Sequence, residues 1–322
     1  MNNGSTCAVL SMNLLNWGMY GPVAPVKVEK VCNVILQHAP ALLCLSEVGP
    51  GDALPWLVDP LASRGLVYET LSVGKPNARG IRNAILRRPE VEVLSSRLNV
   101  PTEFTLPAIT LENFEMGEMR LRLSREPLAV LVRIGGHVLA VGFFHPKSKY
   151  PEDYRTGRYP QTAKDQTFLG TCKMISSLRN FGQCLLAREF VDRFTTHNPT
   201  DEAWNCSPKD IHFALVGDWN ANPQEEQRAA LRGFPEAGLL ADTLLADPIG
   251  TSSTDMRDIC TIPWGGMWNS FDAIYVDHRL AAISDARIIP VDALDLAGLS
   301  SEDRDRVENE SLDHCPVGLF LK

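Results

Sequence analysis

The sequence predicts an α+β fold in which β-sheets pack face to face. Short apolar runs with the length and composition of β-strands recur from one end of the chain to the other. Only three segments carry apolar residues at clear helical spacing. The chain has 322 residues, of which 44% are hydrophobic, so it can build a large core, and we expect one domain over residues 1–322.

The predicted strands are the apolar runs themselves. Gly135-Gly136 separates two of them and predicts a hairpin. Many short strands favour sheet packed on sheet. The runs are Cys7–Leu15, Ala41–Ser46, Leu66–Leu71, Ile81–Leu86, Val91–Leu94, Leu128–Ile134, His137–Phe144, Ile211–Val216, Phe271–Val276, Arg287–Val291 and Cys315–Leu321.

The three predicted helices are Val26–His38, Asp52–Arg64 and Lys164–Thr195. The third is the longest and contains two glycines that could interrupt it. Its apolar stripe is typical of a helix that packs on a sheet. The segment Arg97–Ser124 has no regular pattern, and we expect a surface excursion at 97–124 over one end of a sheet.

Composition excludes several classes of protein. The formal net charge of −8 argues against binding of nucleic acid by bulk charge, so a polyanion must be held by a local patch or a metal. Eight cysteines include no C-x-x-C pair, which argues against a zinc knuckle or a thioredoxin-like site. The sequence contains no G-x-S-x-G, G-x-x-x-x-G-K or G-x-G-x-x-G motif, which removes serine hydrolases, P-loop enzymes and Rossmann dehydrogenases.

The chain carries no run of apolar residues long enough to cross a bilayer. Its first residues lack the basic and apolar regions of a secretory signal. We therefore expect no membrane partner and a cytoplasmic location.

Polar side chains suited to catalysis stand beside six predicted strands. Each one alone has an ordinary structural explanation, such as a solvated acid or a turn cap. Together they supply hard oxygen ligands, amides and imidazoles, and strand ends of one fold can converge on one rim. The residues are Asn13, Glu47, His145, Asp218, Asn220, Asp272, Asp313 and His314.

The stretch LVGDWNANP places two of these residues side by side. Strand side chains alternate between two faces. If the extended conformation continues past Gly217, Asp218 and Asn220 face the same spot and Trp219 faces the other way.

Six segments resemble the motifs of the endonuclease/exonuclease/phosphatase superfamily, the DNase I-like phosphoesterases, in the correct order over residues 8–321. They are SMNLLNW, LCLSEVG, FFHPKSK, VGDWNANP, SFDAIYVDH and LDHCPV. The chain departs from the family pattern at Ser46, where Gln is usual, at Trp219, where Phe is usual, and at Leu312, where Ser or Thr is usual. Each of these three residues lies next to a predicted site residue and is not itself one of them. The departures therefore concern the subfamily and not the type of reaction.

The resemblance implies a four-layer α/β/β/α sandwich of two mostly antiparallel sheets flanked by helices, with the active site on one rim. It also implies hydrolysis of phosphate esters with Mg²⁺ or Mn²⁺. Carboxylates and amides are suitable ligands for such hard cations. We assign Glu47 as the main metal ligand, with Asn13 and Asp313 supporting it directly or through water.

The remaining residues receive catalytic roles from the same resemblance. Asp218 aligns and deprotonates the attacking water, and Asn220 holds the phosphate or the nucleophile. His314 contacts the phosphate with its ring fixed by Asp272. His145 stabilises or protonates the leaving group.

A candidate substrate surface follows the third motif. Cations and tyrosine rings alternate in the stretch that begins at Lys147, a pattern that suits phosphates and stacked bases. A solvated loop would show the same pattern, and both interpretations stay open. Trp264 and Trp268 could wall the pocket or pack a loop. The candidate substrate-binding residues are Lys147, Lys149, Arg155, Arg158 and Trp268.

The leading functional prediction is a divalent-metal-dependent phosphodiesterase acting on nucleic acid, most simply a DNA nuclease. One alternative is a phosphatase or a lipid or inositol phosphodiesterase of the same fold. A second alternative is a catalytically inactive binding module, against which the full set of acids and histidines argues.

Overall fold

The computed structural model describes residues 5–322 except 78, 102, 107–108, 112–113, 117–118, 123–124, 147, 149–165, 197–209, 233–244, 251, 254, 265, 297–298, 301–302, 304–306 and 309. Two six-stranded sheets dominate the part that it describes. No helix among these residues is long and apolar enough to span a membrane.

The first sheet brings both ends of the chain together. Its strands are β1 (Thr6–Trp17), β2 (Leu42–Val48), β3 (Glu69–Val73), β4 (Arg82–Arg87), β17 (Ser284–Ile288) and β18 (Val317–Leu321). Their order across the sheet is β17-β18-β1-β2-β4-β3. The pairing of β1 with β2 is parallel, and the other pairings in this sheet are antiparallel.

The second sheet is built from the middle of the chain. Its strands are β5 (Glu92–Ser95), β10 (Leu128–Ile134), β11 (His137–Phe144), β12 (Ile211–Asp218), β13 (Leu245–Ala246) and β16 (Asp272–Asp277). Their order across the sheet is β13-β16-β12-β11-β10-β5. Here β11 and β12 are parallel, and the other pairs are antiparallel. The predicted hairpin at Gly135-Gly136 joins β10 to β11.

Alternation of side chains along the strands creates three layers of apolar packing. Val9 in β1 and Val216 in β12 point into the core between the two sheets. Leu10 packs on the far side of the first sheet against α1 (Pro25–His38) and α2 (Pro55–Ser63). Leu215 packs on the far side of the second sheet against α3 (Gln166–Thr196). The predicted four-layer sandwich is confirmed.

The three predicted helices are present, and α3 runs without a break through both of its glycines. Two short helices were not predicted, α4 (Glu226–Arg232) and α5 (His278–Ile283). Asp277 caps α5 by accepting hydrogen bonds from the backbone of Arg279 and Leu280, both at 2.9 Å.

Three two-stranded pairs complete the strands of the described part of the chain. Two of them lie inside the segment 97–124 and are antiparallel, although the sequence there has no regular pattern. The third pair lies between β13 and β16. The pairs are β6 (Glu103–Leu106) with β9 (Met119–Arg122), β7 (Ile109–Leu111) with β8 (Phe114–Met116), and β14 (Ile262–Trp264) with β15 (Met267–Asn269).

Gly217 allows β12 to lie close to β11. A Cβ atom at this position would stand 1.8 Å from the carbonyl oxygen of Phe144. Gly217→Ala is therefore expected to lower the free energy of unfolding by about 1–3 kcal/mol, because backbone must move to relieve the clash. Urea denaturation measures this change.

The matched control is Gly170→Ala in α3, where a Cβ would meet nothing within 4 Å. Alanine favours a helix by up to about 1 kcal/mol over glycine, so this variant should be no less stable than the wild type. Equal stability of the two variants would contradict the close approach of the strands.

Candidate active site

The polar ends of β1, β2, β11 and β12 meet the start of β16 and the turn before β18 at one rim of the sandwich. They surround a cleft of about 430 Å³. Seven of the eight catalytic and metal residues predicted from the sequence line this cleft, and Asp272 is buried behind His314. The lining residues among them are Asn13, Glu47, His145, Asp218, Asn220, Asp313 and His314.

A buried carboxylate–imidazole pair stands at one side of the cleft. The His314 Nδ1 atom lies 2.6 Å from Asp272 Oδ2. Thr261 Oγ1 accepts hydrogen bonds from the backbone of Phe271 and Asp272, at 2.9 and 3.0 Å, and fixes the start of β16. Burial alone would lower the pKa of His314, but Asp272, Asp313 and Asp218 outweigh it and raise the pKa well above its ordinary value. A protonated ring therefore faces the cleft.

Asp218 is the centre of the polar network. Its Oδ2 atom accepts a hydrogen bond from Asn13 Nδ2 at 3.2 Å, and it lies 3.3 Å from His145 Nε2 and 3.9 Å from His314 Nε2. Burial alone would raise the pKa of Asp218, but His314 and His145 outweigh burial and lower it. The carboxylate is thus held ionised between two imidazoles.

Asn220 does not continue the extended conformation of β12, but it and Asp218 both line the cleft, as predicted. Its φ is +52°, a left-handed conformation that asparagine tolerates better than most residues. The turn brings the Asn220 backbone N–H to Asp218 Oδ1 at 3.0 Å, and the side chain donates to the Pro146 carbonyl at 3.1 Å. Trp219 does point the other way, into the core, where it stacks on Phe144.

Glu47 also adopts a left-handed conformation, with φ of +60°. Strained backbone of this kind collects at functional sites. The Glu47 Oε2 atom accepts a hydrogen bond from the backbone of Asn16 at 3.1 Å. Arg125 Nη2 lies 3.7 Å from Glu47 Oε1. Burial alone would raise the pKa of Glu47, but Arg125, His145 and Arg79 outweigh it and lower the pKa.

Arg125 is a site residue that the sequence analysis missed. It lines the cleft and also donates from Nη1 to the carbonyl of His145 at 3.4 Å. In the sequence it stands between the patternless segment and the apolar run of β10. An arginine three residues before a predicted strand was the one available signal, and it is too common to single out a residue.

The donors in the cleft suit a divalent cation. One ligand atom from each of Asp218, Asp272 and His314 lies within 4.8 Å of the others, so these three side chains could hold an ion. The Oδ1 atom of Asp313 is buried and has no hydrogen-bond partner among the described residues. Burial, followed by Glu47 and Asp218, raises the pKa of Asp313 to about 6. Such an unsatisfied carboxylate fits a cation ligand.

The predicted substrate residues are placed only in part. Lys147, Lys149, Arg155 and Arg158 lie outside the described residues. Trp268 is 51% exposed and does not line the cleft.

The hairpin of β14 and β15 explains the position of this tryptophan. Trp268 pairs with Pro263, whereas Trp264 pairs with Met267, and the two pairs occupy opposite faces because strand side chains alternate. Trp264 and Met267 line the cleft.

Comparison with known proteins identifies the fold. No family model matches the chain, and no curated protein matches it significantly. A truncated TDP2 from Caenorhabditis elegans superposes with a TM-score of 0.53 at 14% identity, over 98% of this chain and 97% of that chain. TDP2 from D. rerio, complexed with a single-strand DNA product, gives 0.50 at 15% identity, over 99% and 100%.

An endonuclease/exonuclease/phosphatase protein from Beutenbergia cavernae gives a TM-score of 0.50 at 17% identity, over 98% of this chain and 71% of that chain. The likeness extends over nearly the whole chain in all three cases. The chain therefore has the DNase I-like fold of these endonuclease/exonuclease/phosphatase proteins, and the fold that its motifs imply is confirmed.

Proposed function

We propose that the chain is a divalent-metal-dependent phosphodiesterase that cleaves nucleic acid, most simply DNA. One observation carries the proposal. The ionised carboxylate of Asp218 lies within 4 Å of two imidazoles in a cleft that also contains Glu47 and Asp313. In this arrangement the Asp218 carboxylate can accept a hydrogen bond from a water molecule, and the protonated ring of His314 can donate one to a phosphate.

Glu47, Asn13 and Asp313 would hold the Mg²⁺ or Mn²⁺ ion. The buried Oδ1 atom of Asp313 has no hydrogen-bond partner among the described residues, whereas His314 and Asp272 lie 2.6 Å apart and engage each other. This difference favours the set that contains Asp313. When bound, the cation supplies neutralisation of the charge on the phosphoryl and leaving oxygens.

Asp218 orients the attacking water. Its low pKa keeps it ionised, so it accepts a hydrogen bond from water and receives its proton as the reaction proceeds. Asn13 and the backbone of Asn220 fix the direction of the carboxylate. His314, protonated and held by Asp272, donates from Nε2 to a phosphoryl oxygen.

His145 acts on the leaving oxygen. Burial and the nearby Arg125 lower the pKa of His145, and they outweigh Asp218 and Glu47. The ring is therefore neutral near pH 7. A neutral imidazole stabilises the leaving oxygen through an N–H hydrogen bond, and this is favoured over proton donation.

Two features support nucleic acid as the substrate. The cleft carries guanidinium groups of Arg79 and Arg125 and apolar groups of Trp264, Met267 and Phe271, which suit the phosphates and bases of one strand. The related fold of D. rerio TDP2 is complexed with a single-strand DNA product. Local cations of this kind are needed because the chain as a whole has a net charge of −8.

The test is a panel of substrates incubated with the purified protein and Mg²⁺, Mn²⁺ or EDTA. The panel contains plasmid DNA, single-stranded DNA, RNA, sphingomyelin, an inositol phosphate and a generic phosphodiester. We expect cleavage of DNA that EDTA abolishes. Turnover of the lipid or the inositol phosphate alone would overturn the proposal, and so would binding of DNA without turnover under every metal condition.

A further inference from the structure

A second cavity, of about 210 Å³, lies beside the catalytic cleft on the turn between β1 and α1. Leu15 lines both spaces. The wall combines apolar side chains, including Trp17 and Val23, with the polar side chains of Asn16, Lys27 and Glu308. A planar group with apolar faces and a polar edge would match such a wall.

The turn that forms the cavity is rigidly built. Trp17 is fully buried, and its indole N–H donates to the carbonyl of Ala53 at 2.8 Å. Gly18 has φ of +68°, and a Cβ there would lie 2.8 Å from the Ala53 side chain and 2.9 Å from Trp56. Met19 closes the turn by donating its N–H to the Asn16 carbonyl at 3.0 Å. The conformation is therefore set before any ligand arrives.

This rigid turn exposes an aromatic ring. Tyr20 lines the cavity and is 74% exposed, the highest exposure of any large hydrophobic side chain in the described part of the chain. A phenol ring held in water beside a preformed cavity is available for stacking, which is worth about 1–3 kcal/mol for each base in single-stranded complexes.

Arg79 connects the cavity to the cleft. Its Nη2 atom donates to Asn16 Oδ1 at 2.8 Å, and Asn16 donates from Nδ2 to Glu308 Oε2 at 2.9 Å. Asn16 lines the cavity, whereas Arg79 lines the catalytic cleft. A guanidinium group thus stands between the two spaces, where the phosphate that joins two neighbouring nucleotides would need a cation.

From this juxtaposition we infer that the cavity under Tyr20 binds a nucleobase of the substrate strand, with Arg79 on the phosphate between that base and the scissile position. The inference rests on the proposed function and adds a subsite to it. A strand that ends before this subsite loses the stacking contact, so the subsite sets a minimum length for tight binding. Stacking tolerates any base, so the subsite selects length and not sequence.

The test measures dissociation constants of fluorescent single-stranded oligonucleotides of two to ten nucleotides by anisotropy, in EDTA so that the strands stay intact. Tyr20→Ala should weaken binding of the longer strands by about 5- to 150-fold. A dinucleotide that binds with its single phosphate at the scissile position does not reach the cavity, so its affinity should change by about twofold or less. Tyr20→Phe keeps the ring and should restore wild-type affinity.

Val26→Ala is the control, because Val26 is 47% exposed on α1 and does not line the cavity. Its dissociation constants should match the wild type at every length. A Tyr20→Ala effect that is absent, or equal at all lengths, would overturn the subsite while leaving the proposed function intact. A wild-type protein that binds no oligonucleotide in EDTA and cleaves no DNA with Mg²⁺ or Mn²⁺ would instead refute the nucleic-acid function on which the subsite rests.

Discussion

Replacing Asp218 with asparagine is expected to lower kcat by about 10²- to 10⁴-fold, the usual contribution of a positioned acid–base group. The substitution keeps the volume of the side chain but removes the charge that lies 3.3 Å from His145 and 3.9 Å from His314. The water loses its proton acceptor, and the protonated form of His314 loses one of its three stabilising carboxylates. Steady-state kinetics at saturating Mg²⁺ separates this loss in kcat from any change in KM.

Asp285→Asn is the control for this substitution. Asp285 is a solvent-exposed carboxylate on β17 that pairs with Arg287, and exposed pairs contribute about 0–1 kcal/mol to stability. We expect its kcat to stay within twofold of the wild type. Thermal unfolding of both variants shows whether the fold is retained. Near-normal turnover by a folded Asp218→Asn protein would contradict the central place of this carboxylate.

Replacing Glu47 with glutamine is expected to weaken Mn²⁺ binding by at least about 10-fold, since even residues that only support a metal ligand change affinity by about 10- to 100-fold. Glutamine has nearly the same shape, so the left-handed backbone and the hydrogen bond from Asn16 can persist. Isothermal titration calorimetry with Mn²⁺ measures the affinity without any assay of turnover.

His314→Ala provides the decisive comparison. His314 belongs to the alternative metal group of Asp218, Asp272 and His314, which does not include Glu47. We expect its Mn²⁺ affinity to stay within about threefold of the wild type. Glu69→Gln, at an exposed carboxylate paired with Arg87, controls for the loss of one negative charge. If His314→Ala weakens Mn²⁺ binding and Glu47→Gln does not, the cation is held by the group of Asp218, Asp272 and His314 instead.

Much of the fold follows from local patterns. The period-two alternation of Val9 with Leu10 and of Leu215 with Val216 fixes which side chains enter the core between the sheets and which meet the helices. The long apolar stripe of α3 likewise indicates a helix on a sheet. The acids and histidines could be selected because each stands at the end or start of such a strand.

Features that depend on backbone turns escaped prediction. Asn220 leaves the extended conformation because the left-handed turn gives its N–H to Asp218, and period-two reasoning fails once the strand ends. Trp268 falls on the outer face of its hairpin because the register of β14 with β15 decides which tryptophan meets the cleft. The α5 helix had a readable signal in Asp277, a good N-cap residue.

The sandwich of two sheets and the set of polar residues at its strand ends follow from the order of the amino acids, because side-chain alternation and strand-end chemistry are local properties. The contacts between these groups follow from the packed arrangement of the sheets. Arg125 reaches Glu47 across 78 residues of chain, and Asp272 reaches His314 across 42. Contacts of this kind depend on how the sheets stack and where the turns direct each side chain, and no spacing along the chain encodes them.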